Sequence, residues 1–167
     1  MAPAGPSPPA RGFAYLGLLV VIAIMGLVQA SLAAAWHADA RREKEKELLF
    51  AGHQIREALN LYYAHAPAKA PRQPLQLEDL LRDPRTPQHE RYLRKIYPDP
   101  ITGKTEWGII RGSAGEIHGV HSLSERQPLK QAGFTRDDRN FAGAQKYSQW
   151  VFMATPGRSA TPVPPSH

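Results

Sequence analysis

The chain has 167 residues, enough for one modest domain. Lys and Arg number 21 against 15 Asp and Glu, a net charge of +6, but the excess is spread thinly and forms no block. It therefore reads as a mildly basic solvated surface, and no nucleic-acid partner is expected. Cysteine is absent, which excludes disulfides, thiolate zinc sites and a cysteine nucleophile.

Met1 to Ala10 is rich in Pro and small residues and carries no helix or strand pattern. Arg11 is the only charged residue ahead of a long apolar run, and Gly12 follows it. From Phe13 to Trp36 there is no charge, and Gln29 and Ser31 are the only strongly polar side chains. As a helix, this segment would be about 36 Å long, more than the about 30 Å of a bilayer core. It is too long for the apolar region of a cleaved secretory signal, about 7–15 residues, although small-residue sites such as Ala38-Asp39-Ala40 follow it. Two further readings are a plain signal anchor and a leader cut ahead of the apolar run.

Arg11-Gly12-Phe13-Ala14-Tyr15-Leu16 resembles the start of type IV pilins and type II secretion pseudopilins, whose pattern is a basic residue and Gly, then Phe-Thr-Leu-Ile-Glu and an apolar run. The resemblance implies a leader over residues 1–12, cleavage by prepilin peptidase between Gly12 and Phe13, and methylation of the new amino group of Phe13. It also implies a structural subunit rather than an enzyme, with other pilin-like subunits, an inner-membrane assembly platform and membrane lipid as partners and no cofactor. The family's Glu, fifth after the cut, is replaced by Gly17. In family terms that Glu pairs with a neighbour's terminal amine during assembly. Gly17 offers no carboxylate, which points to a minor or tip subunit, or to one that joins by apolar packing alone. Small residues Gly17, Gly26, Ala30 and Ala34 would be its close-approach points.

The expected localisation is the inner membrane, single-pass, with the C-terminal domain periplasmic and in a filament after assembly. The charge count opposes that orientation: Arg11 precedes the apolar run, whereas Arg41, Arg42, Lys44 and Lys46 follow it.

Helix formers continue to Ala66, and Leu48, Ala51, Ile55, Leu59 and Tyr62 recur at spacings of three or four. One helix is predicted from Phe13 to His65: a transmembrane part over 13–36, then an amphipathic part over 37–66 with His53, Arg56, Glu57 and Asn60 on its polar face. The alternating charges Arg41 to Glu47 read as solvated surface. The expected fold class is α+β, a long transmembrane-plus-amphipathic helix packed on a small antiparallel sheet, with a small α+β domain over 67–154.

Pro67, Pro71 and Pro74 end the helix. Gln76 to Arg82 reads as a short amphipathic helix and Glu90 to Ile96 as a helical turn. Tyr97 to Lys104 is a Pro/Asp/Gly turn of the kind that precedes the first strand in secretion pseudopilins. Thr105–Arg111 and Glu116–Leu123 read as a hairpin with Trp107, Ile109, Ile117 and Val120 inward, and Tyr147–Met153 as a last strand. Ser124–Arg139 reads as loop, and residues 155–167 as a disordered tail.

No pattern for catalysis or metal binding stands out. His118 and His121 are three apart on a strand and face opposite sides. Asp99, Asp137 and Asp138 are the candidate calcium ligands, but they lack Asp-x-Asp-x-Asp spacing. Glu78 and Asp79 fit a solvated helix face, and Trp107 and Trp150 fit a core. The rival reading is a membrane-anchored periplasmic binding or enzymatic domain held by a plain signal anchor.

Overall fold

The computed structural model describes residues 11–155, excluding the side chains of 11–14 and 26–38. Residues 1–10 of the expected leader (1–12) and residues 156–167 of the expected tail (155–167) lie outside the described residues. The chain divides into two units, Met1–Ala40 and Arg41–His167. The helix α1 (Arg11–Ala64) contributes to both.

The expected transmembrane helix is corrected. Among the described residues, no helix is long and apolar enough to cross a membrane. The described apolar side chains of α1 run from Tyr15 to Met25, about 16 Å of helix and about half of a bilayer core. Charge returns at Asp39 and Arg41, and the intervening part of the 13–36 segment lies outside the described side chains. The expected inner-membrane, single-pass localisation with a periplasmic C-terminal domain rested on that span and is corrected with it.

In the second unit, Leu48, Ala51, Ile55, Ala58, Leu59 and Tyr62 form a buried stripe on α1, the outcome of apolar residues recurring about once per helical turn. Pro67 removes a backbone donor and disfavours helical geometry in the residue before it. The last turn is closed by His65 N–H donating to Leu61 O at 3.0 Å and by the His65 ring Nδ1 against the same carbonyl at 2.9 Å.

Three strands, β1 (Gly108–Arg111), β2 (Ile117–His121) and β3 (Val151–Met153), form one antiparallel sheet in the order β1-β2-β3. Ile109, Val120 and Phe152 lie side by side across it. Val120 and Phe152 are fully buried, with Phe141, Tyr147 and Trp150, in the same core as the α1 stripe. Phe141 and Trp150 stack with centroids 5.6 Å apart, and Phe141 meets Phe152 edge-on at 5.1 Å.

The regular elements are shorter than their sequence patterns. The Gln76–Arg82 helix is a 3-10 turn over Leu77–Leu80. No helical turn forms over Glu90–Ile96: Tyr92 and Leu93 N–H both donate to Leu80 O instead. Strand β1 starts only at Gly108, because Trp107 turns its indole N–H to Tyr97 O at 2.8 Å. Tyr147–Gln149 is a 3-10 turn that leads into β3, and another, Arg136–Phe141, starts within the segment read as loop. The Asp99 turn closes through Gly103, whose φ of 74° is easy only for glycine.

Candidate assembly surface

The residues named for processing, Gly12 and Phe13, lie in the first turn of α1; their side chains are outside the described ones. Gly17 stands on the same helix, and a Cβ built there would meet nothing within 4 Å. Around it Tyr15, Leu16, Leu18, Leu19, Val20, Val21, Ile22, Ile24 and Met25 are between 48% and 65% exposed. Successive helical residues are turned by about 100°, so these side chains leave no polar face between them. Fully burying an exposed side chain of this size gains about 1.5–3 kcal/mol, and about half of that remains to be gained here, since each is about half exposed. Among the described residues, none before Leu48 enters the hydrophobic core. An apolar helix exposed all round has no stable solvated side.

The residues weighed for metal binding are engaged elsewhere and do not converge. Asp99 is buried and accepts from Ile101 N–H at 2.9 Å, the Thr102 hydroxyl at 3.0 Å and the Ser122 hydroxyl at 2.7 Å. Asp138 is buried against the His53 ring at 2.8 Å and Arg56 at 2.9 Å, with the Thr135 hydroxyl donating at 2.8 Å. Burial alone would raise its carboxyl. The bonds from His53 and Thr135 and the nearby charges outweigh that and hold it at about 2. Asp79 accepts from Leu75 and Gln76 N–H and closes the 3-10 turn. His118 bonds Glu116, whereas His121 covers Gly108. Among the described residues, no three His, Asp or Glu side chains gather as a metal site.

No protein-family model, curated protein or solved structure matches the chain. Its reading rests on its own residues.

Two polar anchors were not read from the sequence. Glu45, in the run taken as solvated surface, is 3% exposed. It accepts from Leu129 and Lys130 N–H and from the Tyr147 hydroxyl at 2.9 Å, tying the 127–130 segment to α1. Burial, then the Glu45 carboxylate, pushes the Tyr147 hydroxyl up. The available signal was spacing: Glu45 lies one turn before Leu48 on the buried stripe.

The second anchor is Asp83 with Arg85, a pair joined at 2.7 Å with both side chains almost fully covered. Arg85 also donates to Tyr62 O and Pro71 O, each at 2.8 Å, and stacks 3.3 Å above the Tyr62 ring. It thereby places a cation at the carboxyl end of α1, where carbonyl groups lack helical partners. Burial pushes the Tyr62 hydroxyl up to about 12, against the opposing charge of Arg85.

Proposed function

We propose that the chain is a pilin-like (pseudopilin) structural subunit of a type II secretion or type IV pilus assembly, processed by prepilin peptidase between Gly12 and Phe13. The observation that carries this reading is the exposure of Tyr15 to Met25 on every face of α1. A two-stranded coiled coil covers one seam of each helix. A helix apolar all round needs several neighbours, and the corresponding segments of other pilin-like subunits supply them. Arg11-Gly12-Phe13 stands at the head of that segment, where a cut would free a new terminus for packing. With Gly17 in place of a carboxylate, the subunit is a minor or tip subunit, or one that joins by apolar packing alone. Its partners are prepilin peptidase, other pilin-like subunits and the assembly platform.

The test is intact-mass and N-terminal analysis of the protein from its native host. A chain that begins at N-methylated Phe13 is expected, and Gly12→Asp should leave the leader uncut. A chain that begins at Met1, or after Ala35 or Ala40, would remove the filament reading.

A further inference from the structure

Residues 82–95 carry four exposed cations, Arg82, Arg91, Arg94 and Lys95, on either side of a closed loop over 83–90. Asp83 N–H donates to Glu90 O at 2.9 Å and joins the loop's two ends. Its base is fixed by the buried Asp83–Arg85 pair and by Arg85 bound to two backbone carbonyls of other segments. Near its end, His89 adopts a φ of 50°, a left-handed conformation that costs a side-chain-bearing residue free energy and persists only where its surroundings hold it. They do so here: His89 N–H donates to Thr86 O at 3.1 Å, and its ring Nδ1 lies 3.2 Å from Asp83 O.

Of the segment's two acids, Asp83 is buried and Glu90 is half-buried. Asp83 is taken by Arg85, and Glu90 accepts from the Tyr92 hydroxyl at 2.7 Å. Arg82, His89, Arg91, Arg94 and Lys95 are exposed. None of these five forms an ion pair among the described residues. Arg91 is aimed by its own bonds to Leu93 O and Arg94 O.

We propose that the exposed cations flanking this loop form a docking surface for an acidic peptide segment of a partner protein. Guanidinium groups match carboxylates in a way lysines do not, and the backbone that carries Arg91 and Arg94 is held by Tyr92 and Leu93 N–H donating to Leu80 O, so little entropy is lost on binding. The chemistry of the loop disfavours other anions. Its outermost residues Pro87, Gln88 and His89 include no large apolar side chain to enter a lipid surface. The Tyr92 ring lies against Tyr62 and His65, each with centroids 5.7 Å away, and is not free to stack on a nucleobase. The proposal does not depend on the filament reading.

The test is fluorescence anisotropy of a labelled polyglutamate peptide titrated with the full chain in non-ionic detergent, with oligothymidylate as the comparison. Saturable binding is expected, weakened by salt and by about tenfold or more in Arg91→Glu/Arg94→Glu. That variant should melt like the parent, and Lys104→Glu/Arg139→Glu, outside the loop, should bind as the parent does. Absence of saturable binding, equal loss in both double variants, or tighter binding to oligothymidylate would overturn the proposal.

Discussion

Gly52 on α1 faces Phe152 on β3 so closely that a Cβ on the glycine would stand 2.4 Å from the phenyl ring. The ring has nowhere to retreat: it is fully buried, edge-on to Phe141 at 5.1 Å and against His53 at 5.7 Å. An isolated helix would gain about 1 kcal/mol from Gly→Ala. Here overpacking, typically about 1–3 kcal/mol, should outweigh that gain. Gly52→Ala is expected to lower the denaturation midpoint, and Gly52→Val to lower it further. A Gly52→Ala protein more stable than the parent in a urea titration would show that helix and sheet are not in close contact there.

Glu45 serves three donors with one carboxylate, so its removal strands buried groups rather than merely deleting a bond. Glu45→Gln keeps the size but offers one acceptor oxygen and brings an NH2 group toward backbone N–H donors. A loss of about 2–3 kcal/mol is expected, against about 1 kcal/mol for Tyr147→Phe. Because the two side chains share a bond, the double variant should lose less than the sum of the singles. Strict additivity in chemical denaturation would mean that the Glu45–Tyr147 bond does not hold the fold.

The different visibility of these contacts has a physical cause. The stripe Leu48, Ala51, Ile55, Leu59 and Tyr62 is legible in the sequence because burial on a helix imposes its period on apolar residues. Glu45 obeys the same period but hides in a run of alternating charge, where composition argues for solvent. The Gly52–Phe152 contact leaves no local trace, since it depends on where β3 returns to α1. Trp107 and Tyr147 look like strand residues, yet Trp107 lies just before β1 with its indole N–H on Tyr97 O, and Tyr147 stands in a 3-10 turn. On the first unit, the apolar exposure of Tyr15 to Met25 was legible as composition, whereas the processing roles of Gly12 and Phe13 rest on a motif alone. The membrane span read from the same segment is the expectation that the structure overturned.

The Asp138 cluster predicts a pH dependence of defined sign. Its carboxyl is held at about 2, against an ordinary value of 3.8. A group depressed in the folded state contributes stability above its unfolded value and loses it as pH falls toward the folded one. The contribution is therefore complete above about pH 5 and fades between about pH 4 and pH 2, amounting to about 2 kcal/mol. Asp138→Asn should be less stable than the parent at neutral pH and should flatten the slope of stability between those limits. Parallel pH profiles for the two proteins in thermal melts would exclude Asp138 as the source.

The position of the core predicts what the apolar segment is for. Among the described residues, every core residue lies at Leu48 or beyond, and the polar anchors Glu45, Asp83, Arg85, Asp99 and Asp138 all belong to the second unit. A chain from Arg41 to Thr155 therefore retains all of these contacts and should fold cooperatively, with the same response to Gly52→Ala as the full chain. It lacks Tyr15 to Met25, so it should remain monomeric at concentrations where the full chain associates. Sedimentation of both in the same buffer, with thermal melts to confirm folding, separates the two roles. A folded Arg41–Thr155 chain that associates as strongly as the full protein would place the assembly surface on the second unit and leave the apolar helix without that role.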